Sequence, residues 1–513
     1  MTGQHIGATM LTRRTFIAAT IAGTAALAGC AKPTGQATAT NPIAAAEAAR
    51  PHTGRTVTAA LSPGPADIDL GGTVARTLAY NNSVPGPLIR ANVGDELAIT
   101  VTNGLDHPSS VHWHGLALRN DMDGAAPATP NIDPSSNFTY RFSSPHSGTY
   151  WAHPHTGLDA DHGLYLPVII DDPTESGSYD AEWIVVLDDW TDGIGSSPAQ
   201  LYDGLRPASG AAADSGMPGM PGMPGMDGMP GMPKVPGVGG VGTSALLGGD
   251  AGDISYPYYL ANGRIPTAPT AFRARPGQRV RVRIINAGSD TAFRVALAGH
   301  RMTVTHTDGF PVVPTDVDAL LVGMGERYDV LVTAGDGVFP LVASAEGKNA
   351  VARALLSTGS GTTPDPEFRP PELQRRVGTV EMFTAAPQVV LDSVKTDTTL
   401  VAQLSGSMAT YEWMINGRQF GDTVPLTVRQ AQHVTVTFTN TTMMWHPMHL
   451  HGHTFQVINP DGSPGPRKDT VIVLPMQKIS VTLVADNPGV WMLHCHNTYH
   501  QEGGMMTSLN YTT

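Results

Sequence analysis

Four short runs hold ten of the chain's 19 histidines: His112-Trp113-His114-Gly115, His153-Pro154-His155, His446-Pro447-Met448-His449-Leu450-His451, and His494-Cys495-His496-Asn497-Thr498-Tyr499-His500. A single His-X-His pair is ordinarily a solvated or hydrogen-bonded pair. Four such runs in one chain are a metal-ligand set. On a strand, residues i and i+2 share a face. His112 and His114 therefore reach one site, as do His449 and His451, and His494 and His496. Cys495 points the other way from its two neighbours. One strand then offers a thiolate to a metal on one side and two imidazoles to other metals on the opposite side, with the Cys495 backbone as a short covalent route between them.

Ligand softness selects the metal. A thiolate, two imidazoles and a weak axial thioether make a blue-copper electron-transfer site. Cys495 supplies the thiolate, His446 and His500 the imidazoles, and Met505 the thioether, with its neighbour Met506 as the alternative. Cys495 is also the only cysteine besides Cys30, so a disulfide scaffold is excluded in a mature chain that begins at Cys30.

The elements that must carry these runs are strands. With Gly 57 and Pro 42 among 513 residues, and many Val/Thr-rich stretches, the composition favours short strands and turns. Three segments share one pattern, a turn residue followed by an alternating run that ends in Asn: residues 84–103, 272–286 and 424–440. Alternation of period two means a strand with one face buried. Three copies at intervals of roughly 150–190 residues predict an all-β chain of three related β-sandwich domains. Their expected bounds are 53–172, 173–365 and 366–513. Residues 204–252 break the pattern as a low-complexity insert in the middle domain. Within it, methionine recurs at every third position from Met217 to Met232, with Gly and Pro between.

In this order, His-Trp-His-Gly, His-Pro-His, His-Pro-X-His-X-His and His-Cys-His-X₃-His-X₄-Met resemble the four copper signatures of the multicopper oxidases. The run Gly325-Glu326-Arg327-Tyr328-Asp329-Val330 also resembles that family, and the likeness extends from about residue 53 to the end of the chain. It implies three cupredoxin-like Greek-key domains and four coppers per chain: one type 1, one type 2 and two type 3. By the same resemblance His112 and His449 hold the type 2 copper, and His114, His153, His155, His451, His494 and His496 the type 3 pair. The implied reaction takes electrons singly from a donor and reduces O2 to two waters. Because that reduction consumes protons, an acid is expected near the cluster. Asp123 matches the family's first-domain acidic position, although an Asp before Gly is also a common turn residue. Gln501 follows His500 where some relatives have Glu. Glu502 is the next candidate for a second proton donor, with a surface carboxylate as the alternative. His453 is expected to be a buried polar or supporting residue, and His107, His146 and His162 have no ligand spacing.

Thioethers suit Cu(I), so the methionine repeat points to cuprous ions as electron donors, similar to the methionine-rich inserts of copper-efflux oxidases. A linker with incidental methionines, or a sacrificial oxidant trap, is the alternative. Laccase-like oxidation of phenols or aromatic amines is the second reading. A copper-sequestering lipoprotein without turnover is the third, and it gives no reason for a thiolate flanked by cluster histidines.

The formal net charge of −13 argues against a nucleic-acid partner. Thr12-Arg13-Arg14-Thr15-Phe16 resembles a twin-arginine export signal, and the apolar stretch after it is too short to span a membrane. Leu27-Ala28-Gly29-Cys30 resembles a bacterial lipobox. Residues 1–30 are thus expected to direct export, with a lipid on Cys30 anchoring the chain to the outer face of the cytoplasmic membrane. An ordinary cleaved signal with an incidental cysteine is the alternative. Residues 31–52 read as a tether, and a monomer is expected.

Overall fold

A computed structural model of the chain describes residues 41–175, 179–206, 235–391 and 395–512. The export segment, Cys30 and the Met217–Met232 repeat lie outside the described residues.

The three alternating segments form equivalent strands. Glu96–Thr102, Arg279–Asn286 and His433–Asn440 each pair in parallel with the opening strand of their own sheet, Thr56–Leu61, Ala181–Trp190 and Thr398–Ser407. Each then pairs antiparallel on its other side, with Asn137–Ser143, Arg327–Thr333 and Lys478–Val484. A second sheet packs over each. The first region has a four-stranded sheet carrying the His112–His114 and Gly148–His153 strands. The middle region has two six-stranded sheets, and the last a six-stranded and a five-stranded sheet. The five-stranded sheet carries His446–Leu450 beside Val490–Cys495.

The asparagine that ends each run does the same job three times. Asn103 donates to the carbonyls of His107 and Ile132, Asn286 to those of Thr291 and Val322, and Asn440 to those of Met444 and Val473. Each side-chain oxygen accepts from the backbone N–H two residues on. The asparagine thus satisfies buried backbone groups where the chain leaves the sheet. In the third copy the loop so fixed delivers His446.

Several expectations need correction. His433–Asn440 alternates as expected, but Arg279–Asn286 buries both faces. Arg281 and Arg283 lie inside because Asp329, Glu175 and Glu182 pair with them. Residues 366–378 do not start the last sandwich. Val377–Gly378 pairs with Ala319–Leu320 at the edge of a middle sheet. The tether is shorter than expected, since Pro42–Ala48 is a helix with Pro at its start and the Asn41 side chain capping Ile43 N–H. Glu47 accepts from Ser143 N–H, and Arg50 donates to Asn487, which holds this segment on the protein. The low-complexity insert is also ordered at both ends. Leu205 closes the Pro198–Leu205 helix, Leu247 is fully buried and Ser244 donates to Glu346.

Candidate metal centre

Two clusters of donors form around the Val490–Cys495 strand. In the first, Cys495 Sγ lies 3.6 Å from His446 Nδ1 and 3.7 Å from His500 Nδ1, and the two nitrogens are 3.1 Å apart. All three residues are buried. The outer ring nitrogens are held from behind, His446 Nε2 by the Thr442 hydroxyl (2.9 Å) and His500 Nε2 by Asp253 Oδ2 (3.1 Å). Asn497 caps the short Thr498–Glu502 helix by accepting from the N–H groups of Tyr499 and His500, which fixes the turn that aims His500 inward. Met505 is fully buried and its backbone bonds both Cys495 and His500, whereas Met506 is half-buried and faces a cavity.

On the other side of the strand the remaining eight histidines converge. His112 sits opposite His153 across one ladder, and His449 opposite His494 across another. The two sheets then interleave. His112 stacks on His451 with ring centroids 3.6 Å apart, and His114 stacks on His449 at 3.8 Å. The ligand atoms group as His112 with His114 and His449, His114 with His153 and His496, and His155 with His451 and His494, each set within 4.8 Å. All four runs thus contribute to these donor groups.

Hydrogen bonds set the tautomers. Nδ1 of His112 donates to the Asp123 carbonyl, Nδ1 of His153 to the Pro154 carbonyl, and Nδ1 of His449 to the Asp469 carbonyl. Their Nε2 atoms are buried with no protein partner. An imidazole donating at one nitrogen and bare at the other is the form that ligates metal. Burial, reinforced by neighbouring imidazoles, pushes His114, His153, His451, His494 and His496 well below the usual histidine range, and His155 down to about 3. Neutral rings in a solvent-poor pocket are uncompensated unless a cation fills it. The donor set therefore fits copper at both clusters.

Asp123 reaches the cluster. Its Oδ2 accepts from His451 Nδ1 at 2.8 Å, and Oδ1 lies 3.3 Å from His112 Nδ1. Glu502 does not. It is exposed and makes no hydrogen bond to a cluster histidine among the described residues. Two residues apart on a helix lie about 200° apart around the axis, so a turn that buries His500 turns Glu502 outward. Glu502 lines a cavity of about 610 Å³ that also reaches the half-buried His155. His453 is a buried supporting residue, bonded to the His451 carbonyl and the Tyr511 hydroxyl. His107, His146 and His162 join none of the donor groups.

The chain matches the multicopper oxidase family models over residues 65–175, 181–361 and 394–513. It belongs to the multicopper oxidase family. It is similar to the multicopper oxidase MmcO of Mycobacterium tuberculosis, 63% identical with 97% of this chain and 96% of that protein covered. It also resembles the copper resistance protein A homolog of Pseudomonas syringae pv. tomato, at 26% identity over 87% of this chain and 90% of that one. Among solved structures, a laccase from Botrytis aclada superposes with a TM-score of 0.68 at 26% identity, covering 88% of this chain and 87% of that one. This multicopper oxidase is thus an oxidoreductase of cupredoxin-like β-sandwiches that uses copper.

Sequence reasoning missed the supports. Asp469, fully buried, accepts from His114 Nε2 at 3.1 Å while its carbonyl orients His449. Arg327 pairs with Asp469 through two bonds, of 2.7 and 2.6 Å. Nothing in Lys468-Asp469-Thr470 marks the aspartate. The Gly325–Val330 resemblance did mark the arginine, without a role. Gly325 belongs to the same support. It has φ +82°, and a Cβ there would stand 2.9 Å from ring atoms of both His114 and His496. Gly325→Ala adds about 1–2 kcal/mol of backbone strain and pushes two imidazoles of one donor group aside. The expected result is loss of copper from the histidine cluster with the thiolate site still blue, read by metal analysis and absorption. Full copper loading would show that the rings have room to move.

Proposed function

We propose that this oxidase takes electrons one at a time from Cu(I) and couples their removal to four-electron reduction of O2 to water. The coupling rests on one observation. A single strand puts Cys495 Sγ against His446 and His500 while its flanking histidines, His494 and His496, enter the second cluster. His446, Cys495, His500 and Met505 would hold one copper, and His112 and His449 a second. His114, His153 and His496, together with His155, His451 and His494, would hold a pair. Bound there, copper supplies the redox chemistry, accepting single electrons at the thiolate site and reducing O2 at the histidine cluster. The protein's share is to fix tautomers, exclude water and provide protons. Asp123 is the acid of the cluster in this reading, since its carboxylate is buried between two ring nitrogens, with Oδ2 accepting from His451 Nδ1 and Oδ1 3.3 Å from His112 Nδ1.

The donor reading is supported by the methionine repeat and by a relative named for copper resistance. Both imidazoles of the thiolate site are buried, with their outer nitrogens taken by Thr442 and Asp253, so electrons from any donor enter through the protein. Twin-arginine export and a lipid on Cys30 would place this chemistry at the outer face of the cytoplasmic membrane.

Because residues 198–206 and 235–252 are built into the fold, a clean test removes only 207–234. Gly204 and Val235 are neighbours, so a short joint closes the gap. Oxygen consumption by the copper-loaded deletion protein should fall several-fold with Cu(I) and stay unchanged with a phenol. Equal rates for intact and deleted protein on both donors would sink the cuprous role of the repeat.

A further inference from the structure

A second cavity, of about 250 Å³, opens where three parts of the chain meet. Arg50, in the segment after the Pro42–Ala48 helix, stands on one side, and His146 of the first sandwich on another. His453, Arg467 and Asn487 of the last sandwich complete the wall. No metal-donor residue lines it. Its single lining carboxylate, Asp486, is exposed and, among the described residues, pairs with neither arginine.

Arg467 is the unusual member. Its Nε donates to the Thr454 hydroxyl at 2.8 Å, and its Cζ lies over the Phe310 ring, 4.3 Å from the centroid. Those two contacts fix the guanidinium, yet its two Nη atoms have no acceptor among the described residues. Arg281, Arg283, Arg294 and Arg327 each grip a carboxylate instead. Arg50 donates to Glu47 and, at 3.0 Å, to Asn487 Oδ1, and each of its Nη atoms carries a further N–H. Burial pulls both guanidiniums down from the usual arginine range, and the acids nearby, Glu47 for Arg50 and Asp486 for both, do not make up the difference. Burial, with the two arginines adding to it, pushes the His146 ring down to about 3, so it is neutral. The cavity is therefore short of negative charge and rich in donors.

We propose that it binds one phosphate-type oxyanion between Arg467 and Arg50. The free Nη edge of a guanidinium matches two oxygens of such an anion. Donors on separate walls suit a tetrahedral acceptor, which can be approached from several sides, better than a planar carboxylate or a bare halide. The occupant ties the segment after the tether to the first and last sandwiches. His453, which bonds the His451 carbonyl, carries that link to the histidine cluster. Free phosphate and the phosphate of a lipid headgroup share this chemistry.

The test titrates the copper-loaded full chain, dialysed free of phosphate, with inorganic phosphate at constant ionic strength, by calorimetry and by thermal denaturation. Wild type should bind one phosphate per chain and melt higher, with its blue absorption unchanged. Arg467→Met keeps an apolar stem against Phe310 and should bind about tenfold more weakly or worse, the loss of a charge-assisted bond. Arg467→Lys keeps the charge without the fork and should fall between. General salting effects of phosphate act on all three proteins alike and cancel in the comparison. If Arg467→Met does not fold, Arg467→Lys against wild type decides. Dihexanoyl phosphatidylglycerol, added below its micellar concentration, should displace the phosphate if a headgroup is the occupant and leave it bound if the free ion is; either result keeps the cavity a phosphate site. No saturable binding of either by wild type, equal binding of chloride, or binding unaltered by the Arg467 substitutions overturns the proposal. So does a phosphate-dependent change in the blue absorption that survives in the variants, because the anion would then sit at copper.

Discussion

Cys495→Ser is expected to abolish the intense blue absorption and reduce turnover to that of free copper ions, with copper still bound at His112 and His449. Serine keeps the size of the side chain and the backbone bonds from Cys495 N–H to Met505 and from His494 Nδ1 to the Cys495 carbonyl. It removes only the soft, easily ionised donor, and a neutral hydroxyl neither gives the thiolate-to-copper charge transfer nor matches its covalency. The three donors converge, with Sγ 3.6 and 3.7 Å from the two Nδ1 atoms, and all three are buried, so no other side chain stands ready to replace the thiolate. The opposite face of the strand is untouched, since His449 is oriented by the Asp469 carbonyl and His112 by the Asp123 carbonyl. Absorption and paramagnetic resonance spectra of the variant separate the two centres. A variant that remained blue would mean that Cys495 is not the ligand.

The donor clusters were legible because strands translate spacing into direction. His112 and His114, or His494 and His496, need only period two to share a site, and His-Cys-His needs only the same rule to divide one strand between two sites. The three-fold repeat was legible for a similar reason, down to the asparagine that closes each run. What was not legible depends on contacts between residues far apart in the chain. Asp253 meets His500 and Asp469 meets His114 across separations of 247 and 355 residues. A lone aspartate in a loop gives no pattern to read. Arg281 and Arg283 misled for the complementary reason. Alternation assigns charged positions to solvent, and it cannot reveal that Asp329 and Glu182 wait on the far side to pair with them. For Glu502 the sequence left two readings open, a proton donor and a surface carboxylate, and the helical turn after His500 turns it outward as the second.

Arg327→Ala should cost about 3–5 kcal/mol in the copper-free protein, the usual penalty for leaving one member of a buried ion pair uncompensated. Arg327 is fully buried and reaches all three sandwiches. It donates to the Thr149 carbonyl of the first, belongs to the middle one and grips both oxygens of Asp469 in the last. Gly115 has to be glycine beside it, as a Cβ there would fall 2.3 Å from Arg327 Nη2. Burial alone would raise the pKa of Asp469. Arg327 and the hydrogen bonds from His114 and His449 outweigh it and hold the carboxyl well below the usual range, so the group is an anion in need of its partner. Without the guanidinium, Asp469 must take up a proton or draw in water, and either change disturbs the rings it orients. The denaturation midpoint of the copper-free variant measures the stability loss, and copper analysis measures the second effect. The double variant Arg327→Met/Asp469→Leu removes both charges and should regain much of the stability without regaining copper at the histidine cluster. If it regained both, Asp469 would be a structural partner of Arg327 with no part in holding the ligands. If Arg327→Ala alone lost neither, the three sandwiches would be held by their apolar faces and the buried pair would contribute nothing measurable.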